Sequence, residues 1–396
     1  MKRIGFVIVG IVVIIAVLLV GRPLLAGRVE QPLEASLDSL PVAGSSEGFA
    51  RATVPGAVEF PRDLGPHDDY QTEWWYYTGN LATADERPFG FQFTIFRRAL
   101  APVSLETGVL PKTPVSESSD WRANQVYLAH FTISDIAADQ FYPAERFSRG
   151  AAGLAGAQAE PYRVWLEDWS VEEVAPGQVR LRARTDEAAL DLILTATLPP
   201  VLHGDGGLSP KGPEPGNASY YYSIVQQQAA GTVTAGGQTY DVTGRAWKDH
   251  EWSTSALSEG AIGWDWISLQ LDNGGALMLF EIRREDGTLE ATSAGSYITP
   301  DGTVQHLALG DWSLEVTNTW ISPTSGAEYP AGWRITVPSI DLELTGRPQM
   351  ANQELNVSTV YWEGAVDFTG TLDGAPVNAE GYIEMTGYAG SMEGRL

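Results

Sequence analysis

The chain has 396 residues, enough for two domains at roughly 100–200 residues each. Hydrophobic residues make up 43% and charged residues 19%, a globular composition rather than a disordered one. The 50 acidic residues against 25 basic ones give a net charge of −25, which repels phosphate backbones and argues against a nucleic-acid partner; the absence of cysteine excludes disulfides, thiolate metal sites, a thiol nucleophile and a lipoprotein anchor.

Lys2 and Arg3 precede an unbroken apolar stretch from Ile4 to Val20, closed by Arg22 and Pro23. This pattern predicts a signal anchor or a signal peptide over residues 1–27. The cleavage candidate follows Ala26, but Leu24 stands where a small residue is preferred. Lys2 and Arg3 should stay inside, which places the rest of the chain on the outer face of the cytoplasmic membrane. Residues 28–59 lack sustained periodicity and read as a linker. Gly44-Ser45-Ser46-Glu47-Gly48 in it has the letters of a nucleophile elbow, but no strand precedes it and no helix follows.

Beyond residue 60, strand patterns dominate. TEWWYYTGNLAT, RPFGFQFTIFRRAL, NQVYLAHFTISDI, YRVWLEDWSVEEV, QVRLRARTDE and LDLILTATL are short, aromatic and β-branched, with turn residues about every 8–15 positions. That spacing predicts an all-β barrel or sandwich. Residues 101–120 and 199–217 are rich in turn formers and read as long loops. Trp74-Trp75 leads through Leu81 to Arg97-Arg98, and Trp264-Asp265-Trp266 leads through Leu271 to Arg283-Arg284. The parallel predicts two related β domains, residues 60–245 and 246–396; two similar hairpins are the plainer alternative.

Four clusters carry chemistry. In a strand, Glu73, Trp75 and Tyr77 share one face. A carboxylate among indoles must be paired, with Arg97 or Arg98 as candidates, or hold its proton. In Trp247-Lys248-Asp249-His250-Glu251-Trp252, followed by Asp265 and Trp266, Asp249 and Glu251 face one way and His250 the other. His250 with a carboxylate partner is the best proton-transfer pair in the chain. Residue 254 is Thr, so the H-E-x-x-H zinc pattern fails and no metal is expected. Glu281 is a lone acid on an apolar strand face, a candidate general acid or a partner for Arg283. The loop carrying His203 and Lys211, with Tyr221 after it, is a candidate ligand contact or an ordered connector. No P-loop or dinucleotide fingerprint is present and no cofactor is expected.

HDDYQTEWWYYTGNL, AHFTISD, LHGDGGLSPKGPEPGNASYYYS, GRAWKDHEWSTS and GWDWISLQLDNGGALMLFEIRRE together resemble the AttH and carotenoid 1,2-hydratase family, over about residues 60–390. The resemblance implies two packed lipocalin-like antiparallel barrels. It implies a hydrophobic, terpenoid or lipid-like ligand, and acid-catalysed hydration or cyclisation as a candidate activity. His250 and Trp252 match the family's His-x-Trp. Glu281 is the carboxyl nearest to where the hydratases have an aspartate. AttH-type relatives encoded beside transporters imply the alternative, a non-enzymatic lipid carrier or an accessory of an ABC exporter.

Overall fold

The computed structural model of the chain describes residues 46–102, 123–255 and 257–393. The first of its two sheets holds β1 (Thr72–Ala82), β2 (Pro88–Ala99), β3 (Gln125–Asp135), β4 (Gln140–Arg149), β5 (Ala155–Gln158), β6 (Arg163–Leu166), β7 (Trp169–Ala175), β8 (Gln178–Arg184), β9 (Ala188–Ala196), β10 (Val201–Leu202), β11 (Leu208–Pro210), β12 (Ala218–Ala235) and β13 (Gln238–Ser253). The second holds β14 (Ala261–Leu271), β15 (Ala276–Arg284), β16 (Ala294–Ile298), β17 (Val304–Ala308), β18 (Ser313–Ile321), β19 (Glu328–Val337), β20 (Leu342–Pro348), β21 (Glu354–Asn356), β22 (Val360–Leu372) and β23 (Ala375–Met385).

Strand order is β4-β3-β2-β1-β13-β12-β9-β8-β7-β6-β5 in the first sheet and β17-β16-β15-β14-β23-β22-β20-β19-β18 in the second. In both, the opening hairpin runs outward and the last strand docks beside the first. The two hairpins singled out in the sequence, β1–β2 and β14–β15, hold equivalent places. Both sheets are antiparallel and curled; the first nearly closes into a barrel, while the second is a half-barrel. Closure of the first brings Arg146 on β4 over the Trp169 ring of β7 at 4.4 Å. Pro143 lies on the edge strand β4, where a missing N–H costs no ladder bond.

Three apolar layers result. Trp75, Phe93, Phe131 and Trp169 pack inside the first sheet, and Leu277, Leu279, Trp333 and Trp362 inside the second. Tyr76, Tyr221, Trp247, Trp266, Phe280 and Tyr382 form the layer between them. This arrangement explains two sequence patterns. Central strands such as β1 and β14 are covered on both faces and read as nearly continuous apolar runs. Outer strands such as β9 and β20 have one solvated face and alternate. The sheets approach closely at Gly90, where a Cβ would lie 2.5 Å from the Tyr382 hydroxyl.

The expected N-terminal membrane segment lies outside the described residues. Among those described, no helix is long and apolar enough to cross a membrane. The later part of the expected linker packs against the first sheet: Phe49 and Ala52 are buried, and Tyr220 donates to the Val54 carbonyl at 3.0 Å. The expected boundary after residue 245 falls inside β13, and the sheets divide between Ser253 and Ala261. The expected 101–120 loop lies almost wholly outside the described residues. The 199–217 loop contributes β10 and β11, which pair with β12.

Candidate functional site

The layer between the sheets is not completely filled. It encloses a cavity of about 210 Å³, walled by Trp74, Tyr76 and Phe96 from the first sheet and Trp264, Trp266 and Phe280 from the second. These residues reach it because β1, β2, β13, β14 and β15 each turn alternate side chains toward the opposing sheet.

Asp249 on β13 lies in the cavity wall among these rings. Its carboxyl accepts hydrogen bonds from Trp247 Nε1 at 2.6 Å, from the Tyr221 hydroxyl at 2.7 Å and from Ser223. Among the described residues no cation pairs with it; the ammonium of the adjacent Lys248 turns to the Tyr222 hydroxyl on the other face. Burial therefore dominates and raises its pKa to about 7, against an ordinary 3.8, although the three donors oppose the shift. Glu251, two residues on, is paired with Lys211 at 3.2 Å, and the Lys211 ammonium lies 4.3 Å from the Phe280 ring centre.

A second acid group comes from the other sheet. Glu384 on β23 lines the cavity and stands directly opposite Glu363 on β22. Tyr76 donates to Glu363 and Trp264 Nε1 to Glu384, each at 2.5 Å. Both carboxyls are buried. Burial, then the neighbouring Glu384, pushes Glu363 well above the carboxylate range, and burial raises Glu384 as well. Two adjacent carboxyls in an apolar layer cannot both ionise, so the pair retains a proton.

The opposite face of β13 turns into the first sheet and carries a different network. Glu73 is fully buried there. It accepts from Arg97 Nε, His67 Nδ1 and His250 Nε2, each at 2.8 Å, and from the His67 backbone N–H at 3.0 Å. Burial alone would raise its pKa, but the Arg97 charge and these bonds hold it well below the ordinary value. His67 is pushed up to about 8: burial acts downward, but Glu73 and Asp63 outweigh it. His250 is pulled down to about 3 by burial despite Glu73, so it is neutral. The remaining Nδ1 of His250 lies 3.0 Å from the Tyr222 hydroxyl and 3.1 Å from the Asp63 carbonyl, and Lys248 donates to the same hydroxyl at 3.0 Å. His67, Glu73 and His250 offer three ligand atoms within 4.8 Å of one another. The two imidazoles share one oxygen of Glu73, and the Arg97 guanidinium holds the other.

The structure thus separates the residues singled out in the sequence. Asp249, Glu251, Lys211, Tyr221 and Trp266 line the cavity, and Trp247 supports Asp249. Glu73, Trp75, Tyr77, His250 and Trp252 lie together in the first sheet's interior. There Trp75 stacks on His250 at 5.0 Å, and Trp252 stacks on His67 at 3.7 Å. His203 is buried behind Tyr221, bonded to Ser223 and Ser296 across the sheets. Asp265 and Glu281 pair across β14 and β15, on the face turned away from the cavity. Asp265 is bound to Arg283 at 3.1 Å and to Tyr388 at 2.9 Å. Burial and Asp265 raise Glu281 to about 7, but its position puts that proton outside the cavity. Glu363 and Glu384 escaped the sequence reading. Each is an acid between apolar neighbours, as Glu281 is, although its strand carries a second acid, Asp367 in β22 and Glu380 in β23.

The fold and this cavity define a class: two packed, curled antiparallel sheets that enclose carboxyls of raised pKa among aromatic rings. The AttH-like family profile matches residues 51–388, and the chain belongs to that family. It is similar to the crystal structure of a putative AttH from Nitrosomonas europaea, with 36% identity and a TM-score of 0.73 over 86% of this chain and all of that one. It shares its fold with kievitone hydratase from Nectria haematococca, at 13% identity and a TM-score of 0.62, over 87% of this chain and 97% of that one. Dehydratase asqC of Emericella nidulans is 23% identical over 224 residues, 52% of this chain and only 60% of the dehydratase.

Proposed function

We propose that the protein is an acid-catalysed hydratase or dehydratase acting on a hydrophobic, unsaturated molecule held between the two sheets. One observation carries this reading: Asp249 lies in the wall of an aromatic cavity and holds its proton near neutral pH for lack of a counter-ion. A raised carboxyl is the proton source that addition of water to an alkene requires. In that reaction the Asp249 proton passes to an alkene carbon, and the cation formed lies against the indole faces of Trp74, Trp264 and Trp266. Water forms the new C–O bond, and its released proton returns to the Asp249 carboxylate. Dehydration is the reverse. The Glu363–Glu384 pair is a second proton store in the opposite wall.

The relatives named as a hydratase and a dehydratase support this class of reaction. A carrier asks only for an apolar cavity with its carboxylates outside; the shielded Asp249 and Glu384 favour the enzyme. Anchoring at the outer face of the cytoplasmic membrane, with an ABC exporter as partner, belongs to the proposal on the strength of the N-terminal sequence and the family resemblance.

The test is turnover of an acyclic terpenoid, with lycopene as probe and gain of one water read by mass spectrometry. Asp249→Asn is expected to lower the rate by about 10²–10⁴-fold, the usual share of general acid catalysis. An unchanged rate overturns the assignment.

A further inference from the structure

A row of polar side chains crosses one end of the cavity, and the proton transfer above does not use it. Arg98 on β2 stands directly opposite Thr72 on β1, Thr72 opposite Ser253 on β13, and Ser253 opposite Ser219 on β12. Opposed residues of neighbouring antiparallel strands share a face about 5 Å apart, so one guanidinium and three hydroxyls form a single rung. Arg98, Thr72 and Ser253 line the cavity. Ser219 is fully buried beside Ser253, and its hydroxyl has no partner among the described residues.

The rung is unpaired where its surroundings are paired. Arg98 is half-buried, and neither its guanidinium nor the hydroxyls of Thr72 and Ser253 bond to any described residue. The neighbouring Arg97 gives its donors to Glu73, Gln125 and the carbonyls of His67 and Tyr70. Lys211 is paired with Glu251. Removing a guanidinium from water without a counter-ion is unfavourable, and burial lowers the pKa of Arg98 accordingly. The adjoining wall is apolar: Val126 faces Arg98 across β3, and Phe96 is the next residue along the same face of β2. A planar guanidinium with hydroxyls at its side matches a carboxylate, which accepts two parallel N–H bonds and further O–H bonds.

We propose that this rung is the head-group site of the cavity: the ligand is a hydrophobic molecule bearing one carboxylate, which Arg98 holds and the Thr72 and Ser253 hydroxyls complete. Its apolar body then runs along Phe96 and Trp74 toward Asp249 and Glu384. The inference rests on reading the cavity as a site for a hydrophobic molecule.

The test compares dodecanoate with its uncharged methyl ester on the full chain. Binding is read by quenching of tryptophan fluorescence, since Trp74, Trp264 and Trp266 line the cavity. Dodecanoate should bind about 10- to 100-fold more tightly than the ester, the worth of hydrogen bonds to a charged group. Arg98→Gln should weaken dodecanoate to the level of the ester, with an unchanged urea-unfolding midpoint showing that the variant is folded. Thr72→Val with Ser253→Ala should weaken dodecanoate by a smaller factor, about 3- to 10-fold. If the ester binds as tightly as the acid, or Arg98→Gln keeps the preference, the head-group site is overturned and the cavity reading stands. If neither compound binds, the cavity reading falls and the inference falls with it.

Discussion

Asp249 and His250 are neighbours on one strand, both fully buried, yet their surroundings treat charge in opposite ways. On the His250 face, Glu73 meets Arg97 and two imidazoles and stays ionised far from water. On the Asp249 face the carboxyl has three good hydrogen-bond donors but no paired cation among the described residues, and it keeps its proton to about pH 7. The presence of a guanidinium, not the degree of burial, decides which carboxyl is charged. The first face is suited to holding the fold and the second to moving a proton.

The largest effect that sharpens this contrast is on stability. Glu73→Gln or Arg97→Met leaves an uncompensated buried partner and should cost about 3–5 kcal/mol in urea unfolding. Asp249→Asn replaces a neutral acid by a neutral amide and should cost about 1 kcal/mol or less near pH 6. Equal losses from the two faces would break the comparison.

The pH dependence of unfolding should differ in sign. The depressed pKa of Glu73 gives stability that is present above its ordinary value of 4.5 and lost as pH falls below it. The raised pKa of Asp249 gives stability that is present below 3.8 and lost as pH rises through about 7. His67 adds a loss between its ordinary 6.5 and about 8. Unfolding midpoints measured across pH should therefore lose their acid limb in Glu73→Gln. In Asp249→Asn the decline between about 4 and 7 should flatten. A smaller effect is expected at the second acid group. Tyr76→Phe removes the donor to Glu363 and should destabilise by about 1–2 kcal/mol, read in the same unfolding assay.

Much of this contrast can be read from period-2 alternation alone. It puts Asp249 and Glu251 on one face of β13 and His250 on the other, and Glu73 on the face of Trp75. The all-β architecture follows from the same signal. Which face meets the second sheet cannot be read that way, because β1, β14 and β15 are largely apolar on both sides and β13 carries ionisable groups on both. Glu281 and Glu384 have the same local signature, and only the packing of the sheets turns Glu384 into the cavity and Glu281 away from it. Glu363 and Glu384 meet across one long hairpin, and the Arg98–Thr72 hairpin meets Ser253 from a distant part of the chain. Strand register brings them together, and no short motif records it.

The central claim is that the cavity holds protonated carboxyls, and infrared difference spectroscopy across pH 7 tests it most directly. The protein should show the carbonyl stretch of a protonated carboxylic acid below pH 7, lost as Asp249 ionises through about 7. In a Glu281→Gln background, which removes the other carboxyl raised to about 7, Asp249→Asn should remove that titrating band, while Glu73→Gln should leave it in place. A band absent below pH 7, or one that persists unchanged when Asp249→Asn is added to that background, would contradict the account.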